Sequence, residues 1–320
     1  MRKEKIEMKM HRSFGFSRID TLVFAAVTAS GLFLLGCEKM PASRSATMPE
    51  PATVAMPKIG LCTSVDNTDK IKAAGYDYVE EGVQKFLVPL EADEKFAPNL
   101  KKALAAPLPV YSYAGFLPGD LTCVGPEAKH DKILAYARTA FARAQQVGST
   151  IIVFGSGKAR RVPEGFSVEA ATAQFVELLK RMGPIAAEYG ITIVIEPLNK
   201  KECNFINTVA EGTDIARRVN HPNICVLADI YHMALEEEGP ESIVAAGPLL
   251  RHVHIAEKEG RARPGTAPYD FVPYFAALKQ IGYSGGISFE CRWKNMDEEM
   301  APALAYVKEQ LDTAWTKPAL

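Results

Sequence analysis

The sequence predicts a (β/α)8 barrel, and three observations predict it. Eight short β-branched or apolar runs alternate with longer stretches whose apolar residues recur at every third or fourth position. Glycines fall just after the helical stretches and just before the next run, where a left-handed cap residue is wanted. Runs five to eight end in Glu, Asp, His and Glu, and a barrel is the fold that gathers such ends on one face.

Along the chain, the first segment reads as a leader. Arg2, Lys3, Lys5, Lys9, Arg12 and Arg18 precede an apolar run from Thr21 to Gly36, the layout of a secretory n-region and h-region. That run is short for a membrane span. It stops at Leu34-Leu35-Gly36-Cys37, which resembles a bacterial lipobox. The resemblance implies that residues 1–37 are a signal peptide, that Cys37 is lipidated, and that the protein is exported and anchored to a membrane facing the periplasm or cell exterior. A plain signal peptide or an uncleaved anchor is the alternative. Residues 38–57, rich in Pro, Ala, Ser and Met, read as a flexible tether, and residues 58–320 as the barrel.

Within that domain the expected strands are Ile59–Thr63, Tyr76–Gly82, Leu108–Tyr113, Ser149–Gly155, Ile191–Pro197, Ile224–Asp229, Leu250–Ile255 and Gly286–Glu290. Between them, Ala128–Val147, Ser167–Tyr189 and Thr208–Val219 have helical periodicity; Ile133, Tyr136, Ala137, Ala140, Phe141 and Ala144 form one apolar stripe. Gly75, Gly148, Gly190 and Gly282 punctuate helix-to-strand turns. Eight strand-helix units in about 255 residues suit a closed barrel better than an open sheet.

Composition narrows the function. Among 320 residues the net charge is −1, and no basic stretch interleaved with aromatics supplies a nucleic-acid groove. Setting Cys37 aside leaves five cysteines without C-x-x-C spacing, which excludes a dense disulfide framework or a structural zinc site.

The chemistry is expected at the strand ends: Glu196, Asp229, His254 and Glu290. Three carboxylates and an imidazole suit one divalent ion, Mn²⁺, Co²⁺ or Mg²⁺, with Zn²⁺ also accommodated. His252 and His254 share a side of their strand, with His254 nearer the rim. Singly, each carboxylate is equally at home as the N-cap of the following helix; four in succession favour the metal.

Glu196-Pro197-Leu198-Asn199, Asp229-Ile230-Tyr231-His232-Met233, His252-Val253-His254 with Arg261 to Gly265, and Phe289-Glu290 together resemble the xylose isomerase-like barrels of the sugar phosphate isomerase/epimerase superfamily, the ketose 3-epimerases especially. The resemblance runs from about Ile59 to Leu311. It implies that Glu196, Asp229, His254 and Glu290 hold the metal, that Glu196 and Glu290 are the acid/base pair, and that Glu202, His232 and Arg261 bind substrate. Arg261 needs one inserted residue, since Gly260 stands where the family has its Arg; Arg263 is the alternative. The implied reaction is isomerisation or epimerisation of an unphosphorylated ketose or keto-sugar through an enediolate, and members of the group also associate into homo-oligomers. A lyase or hydratase acting on 3-keto glycosides, and a sugar-binding lipoprotein without catalysis, are the other readings; the metal-dependent apurinic endonucleases share the barrel but use many histidines, and this chain has 6.

Lesser features have plainer expectations. Gly155-Ser156-Gly157-Lys158 reads as a loop more than an anion cradle. Glu236, Glu237 and Glu238 read as a solvated helix face; Tyr111, Tyr113 and Phe116 stand near the mouth, where they can stack on a sugar ring, with core packing an equal reading for Tyr111 and Tyr113; Glu80 and Glu81 end the second strand as candidates for the pocket, without an evident role.

Overall fold

The structure, a computed structural model, describes residues 54–316; the leader, Cys37 and most of the tether lie outside them. Eight parallel strands pair in sequence order and close on themselves: β1 Lys58–Cys62, β2 Tyr78–Gly82, β3 Val110–Ala114, β4 Ile151–Phe154, β5 Thr192–Ile195, β6 Ile224–Asp229, β7 Leu250–Ile255 and β8 Gly286–Phe289. The seam between β8 and β1 runs in register from Lys58 opposite Gly286 to Leu61 opposite Phe289. Every expected strand is present, each within about two residues of its expected ends.

Among the described residues ten α-helices surround the barrel: α1 Thr68–Ala73, α2 Asp93–Ala105, α3 His130–Val147, α4 Gly157–Arg160, α5 Val168–Glu188, α6 Val209–Val219, α7 Ile230–Leu235, α8 Glu241–Ala246, α9 Val272–Gln280 and α10 Met296–Thr316. The apolar stripe read in the sequence is the face that α3 buries, from Ile133 to Ala144. Its C-cap, Gly148, has φ 90°, and the glycines before β2, β5 and β8 are left-handed as well, a conformation that strains any residue with a Cβ. Ser167 and Thr208 cap α5 and α6 through their hydroxyls. No helix among the described residues is long and apolar enough to cross a membrane.

Two expectations are corrected by packing. The Glu236–Glu238 run is not a solvated face: Glu236 pairs with Lys200 at 2.8 Å, and the Glu238 carboxylate accepts the N–H groups of Val209 and Ala210 at the start of α6. A helix N-terminus leaves such donors free, so an acid from a neighbouring loop satisfies them. Nor do the aromatics ring the mouth. Tyr113 and Phe116 are fully buried, Phe116 against Phe141 and Phe154, while Tyr111 lines a cavity at the opposite end, beside Thr150 and Thr192.

Candidate active site

Inward-facing positions alternate along each strand, so the upper barrel interior is built from every second residue of β2, β3, β7 and β8. Glu80, Ser112, His252, His254 and Ser288 therefore share it, all fully or almost fully buried. Glu80 Oε2 accepts hydrogen bonds from Ser112 Oγ at 2.6 Å, Ser288 Oγ at 2.8 Å and His252 Nε2 at 2.6 Å; its Oε1 accepts from His254 Nε2 at 2.8 Å. Burial works against the charge on Glu80, yet His254 and His252 hold it well below the usual carboxylate range. An ionised carboxylate only accepts, so both imidazoles carry their proton on Nε2.

This sets the direction of His254. With Nε2 donating to Glu80, Nδ1 points to the rim, 2.9 Å from Glu290 Oε2 and 3.3 Å from Glu196 Oε1. Glu196 follows the end of β5, Asp229 ends β6 and Glu290 follows β8, so that ligand atoms of Glu196, Asp229, His254 and Glu290 all lie within 4.8 Å of one another. The four residues singled out from the sequence are brought together. Asp229 caps a helix and faces the cluster at once: Oδ1 caps α7 by accepting from Tyr231 N–H at 2.9 Å, and Oδ2 faces the cluster.

The donor set fits a divalent cation. His254 Nδ1 is buried without a hydrogen-bond partner, aimed at two carboxylates that also can only accept. Acceptors facing acceptors repel unless a cation or an extra proton stands between them. Accordingly, although burial opposes it, Glu80 and Glu290 raise the His254 pKa well above the ordinary imidazole value; protons and metal compete for such a place. Burial and the charge of Glu290 push Glu196 up, whereas His254 and Arg261 hold Glu290 down despite its burial.

Around this cluster stand the three residues expected to meet substrate. Asn199 donates to His232 Nδ1 from its backbone N–H at 3.3 Å and lies 2.9 Å from it through Nδ2, which places the ring proton on Nε2. That Nε2 is buried, has no hydrogen-bond partner and stands 3.5 Å from Asp229 Oδ2. Asn199 Nδ2 also holds Glu202 Oε1 at 3.0 Å. Arg261 hydrogen-bonds Glu290 Oε2, reaches Asp229 Oδ2 at 3.2 Å and Glu202 Oε1 at 3.8 Å, and stacks over Tyr231. Of the two arginines, it is Arg261 that the loop turns toward the cluster. Gly260 and Arg261 are both left-handed, a turn that absorbs the inserted residue, while Arg263 points to Glu299.

The sequence reading did not reach the roles of four supports of the site: Glu80, Asn199, Glu257 and Gly155. Glu257 accepts the N–H groups of Gly265, Thr266 and Ala267 at 2.7, 2.9 and 2.7 Å, tying down the loop that presents Arg261. Gly155 sits where a Cβ would be 2.1 Å from Glu196 Oε2. The glycine-rich loop therefore makes room for a carboxylate; within it Ser156 Oγ accepts from Leu117 N–H, and α4 is a single turn. Gly155→Ala is expected to displace Glu196 by an ångström or more and cut turnover by about 10²-fold with the barrel's melting temperature little changed. Unaltered kcat in that variant would overturn this role.

Comparison with known proteins agrees with the architecture. The chain is 33% identical over 265 residues to an L-ribulose 3-epimerase of Methylomonas sp. (strain DH-1), covering 74% of this chain and 88% of that protein. It is 32% identical over 129 residues to a 3-dehydro-D-guloside 4-epimerase of Escherichia coli, covering 40% and 47%. The crystal structure of a D-allulose 3-epimerase from Methylomonas sp. in complex with D-allulose superposes with a TM-score of 0.66 at 29% identity, over 81% of this chain and 99% of that one. A family model described as xylose isomerase-like TIM barrel matches residues 68–317. With that match over most of its length and the closed eight-stranded barrel behind it, the chain belongs to the xylose isomerase-like TIM barrel family.

Proposed function

We propose that this protein is a divalent-metal-dependent isomerase or epimerase of an unphosphorylated ketose or keto-sugar, working by proton abstraction beside a carbonyl. The observation that carries this reading is the convergence of Glu196 and Glu290 on the point shared by Asp229 and the bare Nδ1 of His254. Glu196, Asp229, His254 and Glu290 hold the ion; an oxygen-rich set with one nitrogen suits Mn²⁺, Co²⁺ or Mg²⁺, and Zn²⁺ as well. When bound, the cation stabilises the negative charge that develops on the substrate oxygens.

The remaining work belongs to side chains of the chain itself. One of Glu196 and Glu290 takes the proton from the carbon next to the carbonyl, and the other returns one to the opposite face, inverting the centre; return at the neighbouring carbon isomerises instead. His232, with an unpartnered N–H, donates to a substrate hydroxyl, Glu202 accepts from one, and Arg261 places positive charge beside the enediolate oxygens. Relatives named as 3-epimerases of ribulose and psicose favour inversion at the carbon beside the ketone. The relative named as a keto-guloside epimerase brings keto-glycosides into the substrate class, and elimination from a 3-keto glycoside by the same abstraction is the second reading. Pure capture of sugar does not need both carboxylates.

The leader supports a location for this chemistry: export, cleavage before Cys37, lipidation and tethering by residues 38–57, outside the compartment of sugar phosphates. The test of the reaction is proton exchange in D₂O, followed by NMR with Mg²⁺-loaded protein and a panel of free ketoses and 3-keto glycosides. Deuterium is expected at the carbon beside the carbonyl, and its incorporation is expected to stop on chelation. A protein with stoichiometric metal that binds a sugar without exchanging a proton would sink the enzymatic reading and leave capture.

A further inference from the structure

Beside the acid cluster, on the side of β1 to β3, lies a cavity of about 680 Å³. It begins at Cys62 and Glu80, the carboxylate that holds His254, and runs outward past Glu81 to Asn99 and Lys102 on α2. Pockets for ligands of drug size occupy about 300–1,000 Å³. The space therefore accommodates a further ring, and a single ring held at Glu196 and Glu290, neither of which lines the cavity, leaves it to water.

The lining states what kind of group belongs there. Asp66 is paired with Lys102 at 3.0 Å, Glu80 is saturated by two histidines and two serines, and the remaining charges of the lining, Glu81 and Lys85, are of opposite sign but unpaired with each other. A wall whose charges cancel in sum recruits neither a phosphate nor an ammonium group, and the polar side chains in it, Thr63, Ser64, Gln84 and Asn99, disfavour a purely apolar one. Glu81 is half-buried, forms no ion pair within 4 Å among the described residues, and is pushed up to about 7 by that burial, against backbone hydrogen bonds from Gly82 and Val65. Such a carboxylate gains from any hydroxyl that donates to it.

We propose that this cavity is a second subsite for a hydroxylated group joined glycosidically to the reacting ring, so that the preferred substrate is a keto-glycoside and Glu81 accepts a hydroxyl of its second residue. This rests on the proposed reaction at Glu196 and Glu290 and adds to it the source of substrate choice.

A matched pair of substrates tests it: a 3-keto-glucoside bearing a methyl group and one bearing a second glucose, assayed with the full chain loaded with Mn²⁺. The ratio of their kcat/KM values is expected to favour the two-sugar compound at least tenfold, and Glu81→Gln and Glu81→Ala are each expected to bring the ratio towards one. A wild-type ratio near one, or a ratio that neither variant moves, overturns the subsite. If neither compound turns over, the reaction reading fails by itself, and calorimetric affinities of the same pair decide the subsite. Tenfold tighter binding of the two-sugar compound, lost in both variants, supports it; equal affinities overturn it.

Discussion

Glu196→Gln and Glu290→Gln are each expected to lower kcat by about 10²–10⁴-fold, the range spanned by removal of a general acid or base, while the barrel stays folded. The amide keeps the size of the carboxylate, so Gly155 still clears residue 196 and Arg261 can still donate to residue 290 through the backbone carbonyl of Glu290 at 3.0 Å. What is lost is the ability to hold a proton and one negative charge of the ligand set. Because abstraction and return are successive halves of one reaction and neither half alone gives product, the double variant should fall little below the worse single one. Metal content, measured by elemental analysis beside kcat, separates a lost ligand from a lost base. Full turnover by Glu196→Gln with normal metal content would falsify the assignment of the pair.

Glu80→Ala is expected to remove about 3–5 kcal/mol of stability, the cost of leaving buried partners of a charge uncompensated, and in a barrel of this size to lower the melting temperature by roughly 10 °C. His252, His254, Ser112 and Ser288 all lose their acceptor at once. Glu80→Gln is the gentler version: its amide oxygen serves one histidine, while its NH₂ meets the other as a donor facing a donor. Freed from Glu80, His254 can rotate or change tautomer, so metal affinity should fall about 10–100-fold, as it does when an outer carboxylate behind a ligand is removed. Titration of metal into Glu80→Gln at a temperature where it is folded is the check, and unchanged affinity would reduce Glu80 to a packing role. The pH dependence has a definite sign. Since folding holds the Glu80 pKa well below its ordinary value, its contribution is present at neutral pH and is lost as pH falls below the ordinary glutamate range towards the folded-state pKa.

The arrangement gives each rim acid a local and a distant partner. Asp229 caps the helix that follows it and faces Arg261 from β7's loop; Glu290 continues β8 and faces His254 and Arg261. Arg261 in turn depends on Glu257, whose three backbone contacts shape the loop around it. Substitutions at Glu257 are therefore expected to act on substrate affinity through Arg261 before they affect the four-residue cluster.

By itself the sequence determined the barrel and the ring of acids and imidazole on it. Both follow from short-range physics: a period of two or about 3.6 marks each element, left-handed glycines mark the turns, and a closed parallel sheet carries consecutive strand ends to one face. The tertiary structure alone decided what lies beneath and between those residues. Glu80 meets His252 and His254 across 172 and 174 positions of chain, through inward layers that depend on the stagger of the strands and on the register shifts in the β2–β3 and β6–β7 pairs. Arg261 faces the acids and Arg263 does not, because two consecutive left-handed residues aim one side chain inward and leave the other on Glu299. Gly155 and Glu238 acquired their roles only from a neighbour that approaches from another element. Periodicity is written along the chain, whereas a close approach between distant segments is settled by how their surfaces pack.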